Sequence, residues 1–427
     1  MNSKRHPLYI EIYNEIRDNI VNGIIPKNTK IDSVRQYSVK RGISTTTVEK
    51  AYNQLVIEGY IISRPRSGFI VVDIHQNKSI KGDAIVDQIS FSTYRNNNLS
   101  EDLFDMKTYK SIINKIINYQ SSELYKPCDP RGELQLRTEI QKYVLSERNI
   151  NCDVNQIVIG PGIQNLLQML LLLEQRKTVG FLEPMFRKAV DIFKMNNYVI
   201  QPAKNVQSII DNKSDFLYIS PSNIYPTGDV IKVNERYELL KWAKKNKTYI
   251  IEDDYNFFIR YNSFTIPSIY SFDNNENVIY MGSFSKTILP SIRLSYMILP
   301  IPLYNKFKES YLSFGQGVSK LEQLSLALYM KEGLFKRHTK KLYTLYKEKN
   351  ECILKELEKY DITVSGTDSN LHVIIEFKEH QLLVSFMKHC SLSNLQYETI
   401  KDSLKVIFPY SGLNVSEIPE IIKSLFQ

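Results

Sequence analysis

Hydrophobic residues in this chain follow two different rhythms, and the change of rhythm divides it. In residues 1–72 the period is helical. Leu8, Ile12, Ile16 and Ile20 recur four apart and predict an amphipathic first helix, which Gly23 and Pro26 stop. Ser33 is placed to cap a second helix that runs to Arg41 and ends at Gly42. Ser44 or Thr46 caps a third, with Glu49 three residues after Thr46 as in a capping box. Val48, Ala51, Tyr52 and Leu55 form its buried face. Apolar residues 60–62 and 69–72 then flank Ser63-Arg64-Pro65-Arg66-Ser67-Gly68, two short strands around a basic turn. Residues 73–85 are mostly polar with no firm period and read as a short linker.

From residue 86 to 427 the rhythm becomes short apolar runs, at 157–159, 179–182, 216–219, 249–251, 278–281 and 294–299, separated by helical patterns. That alternation predicts an α/β body with a largely parallel sheet. A long helical pattern near residues 334–360, followed by further strands and helices, predicts a smaller α+β lobe from about residue 325.

Composition narrows the class. The 427 residues are 43% hydrophobic and 24% charged, ordinary for a globular protein and inconsistent with disorder or collagen. Cys128, Cys152, Cys352 and Cys390 form no C-x-x-C pair, a sparse usage that suits a reducing cytoplasm and excludes a small disulfide scaffold. No apolar stretch is long enough to span a bilayer, and the first residues lack the apolar region of a signal peptide. Charge is uneven. Residues 1–72 hold 11 Lys and Arg against 6 Asp and Glu, +5 of the net +9. A basic module on a near-neutral body points to nucleic acid at one end.

Two helices joined by a tight turn, then a hairpin with a basic tip, make a winged helix-turn-helix pattern whose third helix enters the major groove of double-stranded DNA. Thr45, Thr46, Thr47 and Lys50 lie at the start of that helix, where hydroxyls, an amine and the helix N-terminus reach phosphates or base edges. Arg64 and Arg66 at the wing tip reach the DNA backbone or the minor groove. The whole stretch resembles the GntR-type DNA-binding domain. The likeness is carried by Ser33-x-Arg35, by the run from Ser44 to Tyr52 and by the wing glycine Gly68. It departs from that family at Asp32, where proline is usual, and at Thr45, where arginine is usual.

In the body, Gly282-Ser283-Phe284-Ser285-Lys286 follows a strand directly, with Arg293 seven residues on. A lysine in a strand-end loop can form a Schiff base where its site desolvates it, and hydroxyls with an arginine can hold a phosphate. Upstream, a strand ends in Glu252-Asp253-Asp254-Tyr255, where a carboxylate can pair with a protonated pyridine nitrogen. Gly160-Pro161-Gly162-Ile163-Gln164 separates a strand from a helix and offers backbone N–H groups to a phosphate. All sit at C-terminal strand ends, where open α/β sheets bind ligands.

Together these motifs resemble the fold-type I aminotransferases, with their mainly parallel sheet and smaller lobe. The resemblance implies that Lys286 carries pyridoxal 5′-phosphate (PLP) as an internal aldimine, that Asp253 partners the ring nitrogen and that Tyr255 neighbours the phenolic oxygen. It implies phosphate ligands at Ser283, Ser285, Arg293 and the backbones of Gly162, Ile163 and Gln164, and a ring stacked on Phe186. In the run 221–228 it points to Asn223 first and Tyr225 second as polar contacts. A GntR-type head on such a body is the architecture of the MocR family of bacterial regulators. That likeness implies a DNA-binding homodimer whose signal is PLP or its adduct with an amino compound.

Substrate handling departs from the pattern. No arginine follows Arg337, whereas transaminases of this fold grip the α-carboxylate with a small-lobe arginine. Lys405 falls near that place and is the candidate for an effector carboxylate. Pro127 stands where the family has a tyrosine directed at the partner subunit's phosphate, and Tyr125 is a possible substitute. The expectation is a protein that keeps PLP, transaminates weakly or not at all, and responds to PLP itself, as in control of vitamin B6 synthesis. An amino-acid adduct is the second choice, and a working aminotransferase the alternative.

Overall fold

The computed structural model describes residues 7–65, 68–73, 94, 96 and 103–427, except positions 265, 275 and 290. It divides into two compact units, Met1–Phe91 and Ser92–Gln427. Wing residue Arg66 and linker residues 74–85 lie outside the described part.

The first unit has helices Leu8–Val21, Val34–Arg41 and Thr45–Ile57, then antiparallel strands β1 (Ile61–Arg64) and β2 (Gly68–Val71). Its core holds three residues of the expected apolar stripe, Ile12, Ile16 and Ile20, which close on Val48, Ala51, Tyr52 and Leu55, with Ile61 and Val71 from the hairpin, whereas Leu8 in the first turn is exposed. Ser33 and Gln36 form a reciprocal capping box on the second helix, which Gly42 ends in the left-handed conformation. The third helix is capped by Ser44, whose hydroxyl accepts from the Thr47 N–H, and not by Thr46 with Glu49. The helix begins at Thr45, one turn before Val48, so Ser44 is the residue whose side chain reaches the free N–H groups of the first turn.

The second unit is built on a seven-stranded sheet of order β3-β9-β8-β7-β6-β4-β5. Its strands are β3 (Ile157–Gly160), β4 (Thr178–Leu182), β5 (Val199–Ala203), β6 (Phe216–Ile219), β7 (Tyr249–Asp253), β8 (Val278–Ser283) and β9 (Ser295–Ile298). Only β9 runs against its neighbours. β3, β6 and the first parts of β7 (249–251) and β8 (278–281) are continuous apolar runs because two core clusters cover the two sheet faces. β5 was not expected from the pattern. It is the sheet edge and contains Pro202, which an edge strand tolerates because no neighbour needs its N–H.

The smaller lobe follows the helices Lys320–Lys331 and Leu334–Leu357. Its antiparallel sheet, order β10-β11-β13-β12, comprises β10 (Ile362–Ser365), β11 (His372–Phe377), β12 (Glu398–Thr399) and β13 (Lys405–Pro409). Val373, Ile375, Phe377, Val406 and Phe408 point into the lobe's core, so the alternate residues form the other face. No described helix is long and apolar enough to cross a membrane.

Candidate functional site

The parallel strands of the large sheet deliver their C-terminal ends to one edge, and every body motif read from the sequence lies there. β3 ends at Gly160, and Gly162 turns the chain into helix Ile163–Leu173 with φ +105°. A Cβ on Gly162 would lie 2.7 Å from Arg293 Nη2, so arginine and backbone pack closer than any side chain allows. Arg293 Nη2 also donates to Gln164 Oε1 at 3.1 Å. On β8, Ser283 Oγ lies 2.9 Å from Ser295 Oγ on β9 and accepts from the Ser285 N–H at 3.3 Å, while the Ser285 hydroxyl donates to Ile292 O. A guanidinium, hydroxyls and an uncapped helix N-terminus make a cradle for a phosphate.

Asp253 is the last residue of β7 and is buried. Its Oδ2 accepts the Tyr218 hydroxyl, and its Oδ1 has no partner. Burial pushes its carboxyl up to about 7; the Tyr218 bond opposes this and the Asp254 charge adds to it. The Tyr255 hydroxyl and Asn223 Oδ1 are likewise buried without a partner, although Asn223 Nδ2 donates to Ser369 O at 2.7 Å. Three orphaned polar atoms would be costly unless a ligand satisfied them. Phe186, half-exposed, lies nearly parallel to the Tyr218 ring, 6.5 Å between centroids and 18° between planes.

Lys286 follows β8 in a turn. Its surface is open to small molecules, yet the protein crowded around its amine disfavours the ammonium form, and the Lys188 charge adds to this, so its pKa is lowered. Poor solvation of a reachable lysine favours the neutral amine, the form that attacks a carbonyl.

Tyr225 is engaged elsewhere. Its hydroxyl donates to Glu398 Oε2 on β12 at 2.5 Å, and its ring meets the edge of His372, whose Nε2 lies 2.8 Å from Pro226 O. Burial holds His372 down to about 4, with the Lys286 charge contributing, so this imidazole is neutral at pH 7. Lys405 Nζ is 3.3 Å from Glu376 Oε2, its cross-strand neighbour.

Sequence reasoning missed the support beneath the site. Glu252, Asp253 and Asp254 alternate across β7 and its end, so Asp253 faces one way and the other two the opposite way. Asp254 receives a bidentate Arg148 (2.6 and 3.2 Å) and the Tyr280 hydroxyl (2.6 Å). Arg148 also donates to Ser222, beside Asn223, and Glu252 accepts from Ser268 and the N–H groups of Ile269 and Tyr270. The signal was three consecutive acids on a buried strand, which demand buried donors on the far side.

In the first unit, Arg35, Ser44, Thr45, Thr46, Lys50 and Arg64 are exposed and Thr47 is half-buried. The Ser44 hydroxyl lies 2.9 and 2.8 Å from those of Thr46 and Thr47, so the helix start presents a hydroxyl cluster. Gly68 takes φ +88° where β2 begins, and a Cβ there would press on Lys30 at 3.3 Å. Asp32 is paired with Lys40 at 3.3 Å, which offsets the negative charge that replaces the usual proline.

Two families match this chain: "Bacterial regulatory proteins, gntR family" over residues 8–71, and "Aminotransferase class I and II" over residues 86–425. The HTH-type transcriptional regulator YdeL of Bacillus subtilis, itself uncharacterized, is 33% identical across 98% of this chain and 96% of its own length. The probable rhizopine catabolism regulatory protein MocR of Rhizobium meliloti is 24% identical, covering 87% and 82%. The pyridoxine biosynthesis regulator PdxR of Corynebacterium glutamicum is 24% identical, covering 88% and 84%. The second unit shares its fold with an archaeal alanine:glyoxylate aminotransferase, with TM-score 0.68, 20% identity and coverage of 77% and 88%. A gntR-type winged helix fused to a class I and II aminotransferase domain, with full-length similarity to HTH-type regulators, makes this chain a member of the MocR family of transcriptional regulators.

Proposed function

We propose that this regulator holds PLP at Lys286 and couples the state of that site to operator DNA. The observation that carries the reading is the set of orphaned buried atoms, Asp253 Oδ1, Tyr255 OH and Asn223 Oδ1, gathered at the strand ends with a desolvated lysine. They complement a planar ligand with a basic ring nitrogen and a phenolic oxygen. When bound, PLP supplies an amine-reactive carbonyl on an electron-withdrawing ring.

The chain's own residues do the rest. Lys286 presents an amine whose ammonium form is disfavoured by burial and by Lys188, and Asp253 holds a negative charge or a proton at the ring nitrogen. Arg293, Ser283, Ser285 and the N–H groups from Gly162 to Gln164 grip the phosphate, and Phe186 covers the ring. In the first unit, Arg35, Ser44 to Thr47, Lys50, Arg64, Arg66 and Gly68 face DNA. Such regulators act as homodimers, and Tyr125, 91% exposed, is available to a second copy.

The signal is PLP or its adduct with an amino compound, and the PdxR relative favours genes of vitamin B6 supply as one target. The aminotransferase alternative is disfavoured by Lys405, a point charge already partnered by Glu376 where a free arginine fork is wanted. The test is the visible spectrum of the full chain with added PLP. A band that survives dialysis and is lost in Lys286→Ala is expected. No band in the wild type would defeat the cofactor assignment, and ordinary transaminase turnover would defeat the reading that efficient transamination has been lost.

A further inference from the structure

The loop at 221–228 is held from two directions. Its first residues are held from the large lobe: Arg236 donates to Pro221 O at 2.7 Å and Arg148 to the Ser222 hydroxyl at 2.8 Å. The residues after them are held from the smaller lobe. Pro226 O, on a buried residue, accepts from Asn370 Nδ2 at 2.9 Å and meets His372 Nε2 at 2.8 Å. A carbonyl only accepts, so both side chains donate, and both lone pairs of this oxygen are used. Gly228 O accepts the Ser369 hydroxyl at 2.8 Å. A Cβ on Gly228 would collide with that hydroxyl and with Asn370 Nδ2, 2.6 Å away, so lobe and loop interleave at backbone distance.

The strip that makes these contacts is itself firmly backed. Ser369 and Asn370 are buried, and Asn370 O accepts the hydroxyl of Tyr410, whose ring belongs to the smaller lobe's core, at 2.6 Å. Asn370 Nδ2 also faces Gly366 O at 3.4 Å, so its amide is turned with the nitrogen towards two carbonyls. The strip decides how Asn223 is presented too. Asn223 Nδ2 donates to Ser369 O, which leaves Oδ1 as the buried end without a protein partner. The smaller lobe therefore chooses which end of that amide a ligand meets.

We propose that Asn370, together with His372, is a positioning residue for the cofactor. The two side chains fix Pro226, and through it Asn223 and Tyr225, so the grip on the cofactor depends on the smaller lobe being seated against this loop. This rests on the PLP reading above and adds the residues that make lobe position and cofactor grip a single variable.

The experiment titrates the full chain with PLP and follows the visible band and its circular dichroism, which reports how the ring lies in its asymmetric surroundings. Asn370→Asp keeps the side chain's shape and replaces the donor with an acceptor facing Pro226 O. It should weaken PLP at least about tenfold, equivalent to about 1.4 kcal/mol, and change the dichroism of the band at saturation. His372→Leu should weaken PLP in the same direction. His372→Gln, which returns an amide nitrogen near the place of Nε2, should recover most of that loss. Thermal unfolding of each PLP-free variant separates positioning from folding, because a role confined to stability lowers that transition and leaves affinity and dichroism as in the wild type. Should Asn370→Asp show no cooperative unfolding, the His372 pair decides. PLP affinity within about twofold of wild type in a folded Asn370→Asp overturns the proposal, as does unchanged dichroism or a His372→Gln no better than His372→Leu. No band in the wild type overturns the cofactor reading itself and is recognised before any variant is compared.

Discussion

Asp253 reports most directly whether its site awaits a cation. Its carboxyl stands at about 7 against about 3.9 for a free aspartate, because burial and Asp254 penalise its charge. A raised pKa means that the folded protein binds the proton more tightly than the unfolded chain. The stabilisation is complete below about pH 4 and is lost as pH rises towards 7. PLP-free wild type should therefore lose thermal stability relative to Asp253→Asn between pH 4 and 7 and run parallel to it above; parallel curves throughout would refute the shift. Bound PLP should flatten the wild-type decline, since a protonated ring nitrogen favours the carboxylate. Arg148 is the counterpart on the other side of the strand. Removing it leaves Asp254 buried and unpaired, so Arg148→Ala should cost about 3–5 kcal/mol by denaturant unfolding. The two residues differ in how visible they were. Asp253 could be read because it closes a strand end, where open α/β sheets bind their ligands. The run of acids marked the need for a buried donor, but Arg148 could not be named as that donor because it meets Asp254 across 106 positions.

Elements were legible where one local rule decided them. Ser33, Gly42 and the Ile12–Ile16–Ile20 stripe follow from capping and periodicity, and the structure has them where they were expected. The start of the third helix had two competing caps, and the structure uses Ser44. β5 was hidden because Pro202 and Gln201 break its alternation, and register pairs such as Glu376 with Lys405 depend on a strand alignment that no single strand encodes. Ser44→Ala should cost about 1 kcal/mol in thermal unfolding, since it removes the cap on the Thr47 N–H. The strand–turn–helix element at Gly162 offers a sharper test. Alanine there meets both a φ of +105° and Arg293 Nη2 at 2.7 Å, so the guanidinium has to move off the helix N-terminus. Gly162→Ala should weaken PLP at least about tenfold, equivalent to about 1.4 kcal/mol, in a spectral titration. An unchanged affinity would remove Arg293 and this turn from the phosphate cradle.

At the scale of the whole chain, the open quantity is the coupling between the unit that holds DNA-facing residues and the unit that holds Lys286. The sequence showed two units through its change of rhythm and through a charge of +5 concentrated in the first 72 residues, but a coupling free energy is written in no motif. It is constrained by linkage. If PLP changes operator affinity by some factor, operator DNA must change PLP affinity by the same factor. For a regulator of this kind that factor should lie between about 5 and 150. Operator binding by the full chain, measured with and without PLP, gives one side; spectral titration of PLP with and without a short operator duplex gives the other. Lys286→Ala should retain DNA binding, with the steep salt dependence of a phosphate-contacting head, and lose most of the response to PLP. Equal operator affinity with and without PLP would mean that the two units bind independently, and that the aminotransferase-like body serves the regulator by some means other than its cofactor site.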